Sequence, residues 1–214
     1  TGAEVIARTI TGTPCGFEKS VGKGTVTFIG TWAGFDTEAH RLFYWKLLEK
    51  SGARLRNAYS DNGFIVVRER FTGDGRGLLF AANYYNEEQS GGVTYTHPAT
   101  GEPVSLPLGG NSMLMPPLHA ILTPLCLQLA EGLTMLHTTS DLLSISKEGS
   151  EIILTISGDR DLPGETVLEG PGTGRIIMAE ISGLAAEVSL IRGRRVITYS
   201  HAHGKEMELR ITLD

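Results

Sequence analysis

Residues 3–52 read AEVIARTITGTPCGFEKSVGKGTVTFIGTWAGFDTEAHRLFYWKLLEKSG, and this stretch decides how the fold begins. Residues 4–9 are a short apolar-rich segment and residues 15–20 alternate with period two, so both are predicted strands. Residues 25–31 (TVTFIGT) are β-branched and apolar, as expected of an inner strand. Two glycines flank Lys23, which predicts a hairpin turn between the second and third strands.

One amphipathic helix is predicted after the third strand. Asp36 or Thr37 can cap its start, and Lys50 followed by Gly52 marks its end. One helical face is apolar, because the spacing i, i+3, i+4, i+8 joins Ala39, Leu42, Phe43 and Leu47. We therefore expect the Phe43 and Leu47 side of the helix to pack on the strand of residues 25–31.

A strand without a partner exposes unpaired N–H and C=O groups, and a lone strand-strand-helix edge would be marginal by itself. We therefore expect residues 1–58 to be a truncated α/β strand-strand-helix segment, the C-terminal part of a larger domain. The active site of the parent protein need not lie in this chain. The edge near residues 4–31 is expected to be covered by a second copy or by the chain's own β domain. The aromatic side chains expected in that contact are Phe17, Trp32 and Phe35.

The rest of the chain has the pattern of a mainly β, antiparallel β-sandwich protein. Short runs of apolar and β-branched residues alternate with turns rich in Gly, Asp and Asn. Residues 118–129 (LHAILTPLCLQL) are predicted as two strands, because Pro124 would break a helix. We predict an antiparallel β-sandwich over residues 59–128. Residues 129–214 are predicted as a second β-sandwich or a continuation of the first.

Three segments resemble parts of bacterial β-galactosidases, which are barrel glycoside hydrolases with added C-terminal domains. Residues 4–32 (EVIART…GTPCGFEKSVGKGTVTFIGTW) resemble the end of their glutamine-amidotransferase-like domain. Residues 76–125 (RGLLFAANYYNEEQSGGVTYTHPATGEPVSLPLGGNSMLMPPLHAILTPL) look like the small antiparallel sandwich that closes such chains. Residues 127–170 (LQLAEGLTMLHTTSDLLSISKEGSEIILTISGDRDLPGETVLEG) are similar to the β-domain that follows the barrel in another β-galactosidase family.

The resemblance implies a non-catalytic C-terminal fragment of a glycoside hydrolase, serving packing, assembly or the shaping of a substrate entrance. The parent would hydrolyse terminal β-linked galactose or a related sugar through two Glu on a barrel outside this chain. The implied partners are that missing N-terminal barrel, a second copy in a homo-oligomer, and carbohydrate. One alternative is a carbohydrate-binding module, which a row of exposed aromatics would favour. Another is a protein interaction domain, which a flat exposed apolar patch would favour.

Composition excludes several classes of protein. The net charge is −5 and no basic block is present, which argues against nucleic-acid binding. No apolar run approaches the length of a membrane span. The two cysteines, Cys15 and Cys126, are far apart and lack a C-x-x-C partner, so two unpaired thiols in a bacterial cytoplasmic protein are expected.

No catalytic, cofactor-binding or metal-binding residue is predicted. Asn86-Glu87-Glu88 (residues 86–88) imitates the Asn-Glu of barrel β-galactosidases, but its surroundings indicate a solvated hairpin tip, and a retaining glycosidase needs a second nearby carboxylate. His201 and His203 could place two imidazoles on one strand face, yet Gly204 and Lys205 favour an ordinary turn. His119 and His137 lie in apolar segments and are expected to be satisfied, partly buried histidines. Gly-Lys-Gly at residues 22–24 lacks the frame of a phosphate-binding loop.

Four aromatic side chains are candidates for stacking on sugar or for an interface. They are Trp32, Tyr84, Tyr85 and Tyr95. Aromatic residues on the faces of a sandwich more often pack in the core or between domains. Exposure in the folded chain decides between these two roles.

Overall fold

The computed structural model describes residues 2–32, 38–53, 57–109, 112–158, 162–202 and 204–214. Within them the fold is mainly β, with antiparallel sheets and one α-helix, which confirms the predicted fold class. The helix, α1, spans Glu38–Lys50, and a short 3-10 helix spans Pro171–Arg175. The strands are β1 Glu4–Arg8, β2 Pro14–Val21, β3 Gly24–Ile29, β4 Ala58–Ser60, β5 Ile65–Phe71, β6 Gly77–Asn83, β7 Gln89–Gly91, β8 Val93–Thr96, β9 Pro103–Leu106, β10 Met113–Met115, β11 Ala120–Leu125, β12 Leu127–Ala130, β13 Leu133–Thr138, β14 Asp141–Glu148, β15 Glu151–Ser157, β16 Pro163–Glu169, β17 Ile176–Ile181, β18 Leu184–Ala185, β19 Glu187–Ile191, β20 Arg194–Ser200 and β21 Glu206–Leu213.

The chain divides into two compact units, Thr1–Arg56 and Asn57–Asp214. The first unit contains an antiparallel sheet in the order β1-β2-β3 and the helix α1. The predicted hairpin between β2 and β3 is confirmed, and Gly22 in its turn has φ 61°, which favours glycine. Strand β3 was predicted to be an inner strand, and this is wrong within the described sheet. It lies at the edge, and every residue except Ile29 is exposed.

Helix α1 begins and ends close to the predicted positions, although the capping candidates Asp36 and Thr37 lie outside the described residues. Phe43 and Leu47 are half-buried, whereas Leu42 is 46% exposed. The buried stripe of the helix is therefore narrower than its apolar spacing predicts. At the end of the helix, Lys50 Nζ lies 2.5 Å from Glu18 Oε1 on β2.

The second unit is organised around a five-stranded central sheet in the order β12-β13-β16-β20-β19. A second five-stranded sheet, the outer sheet, has the order β14-β15-β21-β17-β18. Residues 57–125 add three smaller antiparallel sheets, with the orders β4-β8-β9, β11-β6-β5 and β10-β7. The predicted break in residues 118–129 is confirmed, because β11 ends at Leu125, β12 begins at Leu127, and Cys126 between them has φ 54°.

Two hydrophobic cores share the central sheet. Leu136, Val167 and Val196 point from one face of that sheet into the first core, which also contains Tyr95 and Leu106 of the smaller sheets. The opposite face supplies the second core, which lies against the outer sheet; its members include Met135, Leu168, Ile197, Leu154 and Leu209. Both faces of β13, β16 and β20 are therefore covered. In strand β16 five consecutive residues are buried.

Candidate functional site

A cavity of about 500 Å³ opens at the end of the central sheet. It lies where β16 begins, at Pro163 and Gly164, and beside Thr198 and Tyr199 near the end of β20. Strand β15 contributes its last residue, Ser157. Met113, Met115, Ile121 and Leu162 form what we call the apolar wall of the cavity. Its volume is typical of pockets that hold small molecules.

The first polar feature beside the cavity is a chain of buried side chains on the first-core face of the central sheet. The hydroxyl of Tyr95 lies 3.0 Å from His137 Nδ1, and His137 Nε2 lies 3.2 Å from Glu165 Oε1. The carboxylate of Glu165 also accepts hydrogen bonds from the backbone N–H groups of Leu108 (2.6 Å) and Gly109 (3.2 Å). Because a carboxylate can only accept, His137 Nε2 must carry the proton. Glu165 is thus held by three donors although it is buried.

These donors determine the charge state of Glu165. Burial by itself raises the pKa of this carboxyl group, but the hydrogen bonds from His137 and from the Leu108 N–H outweigh it. The pKa of Glu165 is therefore lowered overall, and the group is ionised at neutral pH. An ionised carboxylate inside a sheet that is covered on both faces is uncommon unless it is paired in this way.

The second polar feature lies on the opposite face of the central sheet, around Tyr199. The hydroxyls of Thr138, Ser140 and Thr166 lie 3.2, 2.7 and 2.9 Å from Tyr199 Oη. Ser140 Oγ is also 2.7 Å from His201 Nε2, while His201 Nδ1 lies 2.9 Å from the carbonyl of Leu162. The carbonyl requires a proton on Nδ1, so Nε2 accepts the hydroxyl hydrogen of Ser140. Burial lowers the pKa of His201, which keeps the imidazole neutral.

Two glycines make room for the rings of this second feature. A Cβ at Gly164 would lie 2.2 Å from Tyr199 Cε2, and one at Gly158 would lie 2.1 Å from His201 Cδ2. Real Cβ atoms do not approach other atoms so closely, so neither position can carry a larger residue unless the ring moves. Tyr199 and His201 therefore keep their positions in the cavity wall because these two glycines have no side chain.

The formal charges of the described cavity lining are all negative. Glu165 and Asp141 contribute carboxylates, and His119 and His201 contribute imidazoles. No Lys or Arg is found among the described lining residues. Asp141 Oδ1 accepts a hydrogen bond from the Leu122 N–H at 3.3 Å, which orients that carboxylate.

A separate polar cluster links the loop after β8 to the central sheet. His97 Nε2 lies 2.8 Å from Glu169 Oε1, and Arg194 Nε lies 3.1 Å from Glu169 Oε2. His97 Nδ1 accepts hydrogen bonds from the N–H groups of Ala99 and Thr100, so Nε2 donates to Glu169. This contact helps to fix the loop after β8 and is not part of the cavity.

The four aromatic candidates have different environments. Trp32 in the first unit is 86% exposed. Tyr84 and Tyr85 follow one another in the second unit and are both exposed, and the Tyr85 ring meets the Phe64 ring edge-to-face at 4.8 Å. Tyr95 is fully buried and is bonded to Leu136 O and His137, so it cannot stack on a sugar at the surface. The candidacy of Tyr95 as a surface aromatic is thereby corrected; its phenol is a core side chain with a buried polar contact.

The other residues considered from sequence are also placed. Glu87 and Glu88 are exposed in the loop between β6 and β7, as expected for a solvated hairpin tip. His137 is satisfied, as predicted, but it is fully rather than partly buried. His201 is not in a solvated turn but is buried in the cavity wall, which corrects the interpretation of that segment; His203 lies outside the described residues.

In the described part of the chain, no group of three or more potential ligands is arranged for a metal ion. Cys15 and Cys126 are both free, and burial raises the pKa of the Cys126 thiol to about 11.

The sequence analysis missed the cavity and two of its central residues, Glu165 and Tyr199. The signal that could have found them is polarity inside strands. Residues 137–141 (HTTSD) continue an apolar strand with polar side chains, and residues 163–166 (PGET) precede Val167 in the same way. A polar run in a strand usually indicates a solvent-exposed face, so the pattern alone does not reveal a polar interior.

Among the residues that the structure describes, no helix combines the length and apolarity needed to cross a membrane. No model of a known protein family matches the chain, and a search of curated proteins finds no significant match either.

Proposed function

We propose that this chain is a non-catalytic region of a glycoside hydrolase similar to bacterial β-galactosidases. Its work would be packing and assembly of the parent enzyme, and the shaping of the entrance to the substrate site. The observation that carries the proposal is how the resembling segments coincide with elements of the β unit. Residues 76–125 contain β6 to β11 of the first core, and residues 127–170 contain β12 to β16.

The environment of the glutamates supports a non-catalytic role. A retaining glycosidase needs two carboxyl groups about 5–5.5 Å apart on either side of the bond that is cleaved. Glu87 and Glu88 lie in an exposed loop with no barrel around them, and Glu165 is engaged by three donors inside the sheet. On this proposal the two catalytic Glu belong to a barrel elsewhere in the parent protein. Its location would be the bacterial cytoplasm, which the two free thiols favour.

Two measurements test this proposal. The purified chain is expected to show no turnover of an aryl β-galactoside, and the gene that encodes it is expected to encode a barrel with two Glu as well. Turnover that disappears in Glu87→Gln but persists in the neighbouring Glu88→Gln would make Glu87 catalytic and overturn the proposal. A parent gene without a barrel would also overturn it.

A second candidate is a carbohydrate-binding module. One observation favours it: Tyr84 and Tyr85 are exposed in a single loop, and Tyr85 is braced by Phe64. Aromatic rings held in this way can stack on sugar rings. Retention on insoluble polysaccharide that is lost in Tyr84→Ala and Tyr85→Ala, but kept in the buried-hydroxyl control Tyr95→Phe, would favour this candidate.

A further inference from the structure

The cavity at the end of the central sheet has no role in the proposed function, and its chemistry restricts what it can hold. Its volume of about 500 Å³ admits a small molecule rather than a peptide segment. Anionic ligands are disfavoured, because Asp141 and Glu165 are the charged groups of the described lining and no cation opposes them.

Cationic ligands are disfavoured for a different reason. The negative charge of Glu165 is already shared among His137 Nε2–H and the N–H groups of Leu108 and Gly109. The aromatic ring in the wall, Tyr199, is 8% exposed, so it offers little of its face to a cation. Asp141 alone remains as a carboxylate with acceptor capacity beyond its bond to Leu122.

The remaining polar groups are suited to hydroxyl groups. Ser157 and Thr198 line the cavity, and each carries a side-chain hydroxyl. A hydroxyl can both donate and accept, as the hydroxyls of a sugar do, and the Asp141 carboxylate can accept from them. The apolar wall faces the same space and can cover the C–H faces of a ring.

We propose that this cavity binds a small neutral polyhydroxylated ligand of the size of a monosaccharide. Ser157 and Thr198 would exchange hydrogen bonds with its hydroxyls, and Asp141 would accept from one of them. The apolar wall would cover one side of the ring. This inference does not require the parent to be a glycosidase, because it rests on the volume, charge and hydroxyl groups of the cavity.

The test is calorimetric titration of the full chain with four sugars, of which two are neutral, one is anionic and one is cationic. Galactose and glucose are the neutral probes, galacturonate is the anionic probe, and galactosamine is the cationic probe. We expect one equivalent of a neutral sugar to bind with a dissociation constant at or below the millimolar range, and galacturonate to bind at least about tenfold more weakly. No heat from either neutral sugar up to about 50 mM would overturn the proposal, and tighter binding of galactosamine would replace it with a cation site.

Two variants locate the site. Ser157→Phe fills the cavity and should weaken binding at least about tenfold, whereas Ser146→Phe, on the exposed strand β14, should leave it unchanged. Thr198→Val removes one hydroxyl without a change of shape and should weaken binding about fivefold, with Thr212→Val as its control.

Thr198→Val keeps the test valid if Ser157→Phe does not fold. Unchanged affinity in both cavity variants would place the sugar elsewhere and overturn the proposal. The proposed function is tested by turnover and by the parent gene, whereas the cavity is tested by sugar binding. If the proposed function fails, the binding result can still be interpreted.

Discussion

At the scale of single residues, the cavity wall depends on glycines that leave space for rings. Gly164 on β16 lies directly opposite Tyr199 on β20, and the tyrosine ring covers the position where a Cβ would be. The ring can therefore occupy the space beside Gly164, and its hydroxyl lies within hydrogen-bond distance of those of Thr138, Ser140 and Thr166. Because Gly164 has no side chain, the buried phenol of Tyr199 can form its hydrogen bonds with these hydroxyls.

Gly164→Ala is expected to destabilise the protein by about 2–3 kcal/mol, because the new methyl group overlaps the Tyr199 ring. The measurement is urea unfolding followed by circular dichroism. The matched control is Gly73→Ala, since a Cβ at Gly73 meets nothing within 4 Å and its φ is not left-handed. Equal stability of the two variants would show that the ring moves aside without loss.

Glu165→Gln is expected to destabilise the protein by about 2–4 kcal/mol at neutral pH, because an amide cannot accept from all three donors. The exposed control Glu87→Gln should change stability by less than about 0.5 kcal/mol. Unfolding in urea measures both effects. A loss below about 1 kcal/mol in Glu165→Gln would mean that the three donors find other partners.

The pH dependence of stability gives an independent check on Glu165. Its folded-state pKa lies below the ordinary value of 4.5, so its contribution is complete above pH 4.5. Below pH 4.5 the unfolded chain takes up the proton first, and the contribution is lost as the pH falls through the folded-state pKa. The pKa of His201 is also lowered, from an ordinary value of 6.5, so protein stability likewise falls as the pH drops below 6.5. This effect begins at a higher pH than that of Glu165. The difference between wild type and Glu165→Gln should therefore shrink specifically below pH 4.5.

At the scale of elements, the strands differ greatly in how well they are covered. Strands β13, β16 and β20 have a core on each face, whereas β3 is exposed along almost its whole length. Coverage on both faces keeps water away from the backbone hydrogen bonds of a strand. Local opening should therefore be rare in the central sheet and common in β3.

Native-state hydrogen exchange is expected to rank the strands in this order. The amides of Leu136, Val167 and Ile197 should exchange at least about a hundredfold more slowly than those of β3. Mass spectrometry of peptic fragments resolves these segments. Strand β14, at the edge of the outer sheet and largely exposed, serves as an internal comparison and should exchange faster than its neighbour β15. Protection of β3 equal to that of β16 would contradict this ranking.

Elements that depend on nearby residues were predictable, and those that depend on distant ones were not. The turn at Gly22 and the break at Cys126 follow from residues next to them, so the sequence indicated both. The double coverage of β16 depends on pairing with β13 and β20, which lie about 30 residues away on either side, and its own letters PGETVLE do not reveal it. The apolar pattern of β3 predicted an inner strand, but its position in the sheet decided otherwise.

At the scale of the whole molecule, the two units differ in how much core each contains. All described members of the two core clusters lie between Ala58 and Leu213, inside the second unit. The first unit contributes no described residue to either cluster. The stability of the β unit should therefore not depend on residues 1–56.

Residues 57–214 produced alone are expected to fold and to keep the main unfolding transition of the full chain. Because the central sheet joins both cores, that transition should be single. Leu79→Ala in the first core and Leu154→Ala in the second should each lower the free energy of unfolding by about 2–5 kcal/mol. The midpoint of the single transition should fall in both variants. Calorimetry of the shortened chain is the measurement. Two separate transitions, each sensitive to one of these variants, would mean that the cores unfold independently.

The shared central sheet also limits how this protein can be cut and recombined. A crossover between β11 and β12 would leave the first-core face of the central sheet without its covering layer, so neither product would be a self-sufficient module. The smallest cassette that can be transplanted into another protein is therefore the whole of Asn57–Asp214. Extra sequence is better accepted at a turn such as that around Gly149, which is exposed and where a side chain would meet nothing.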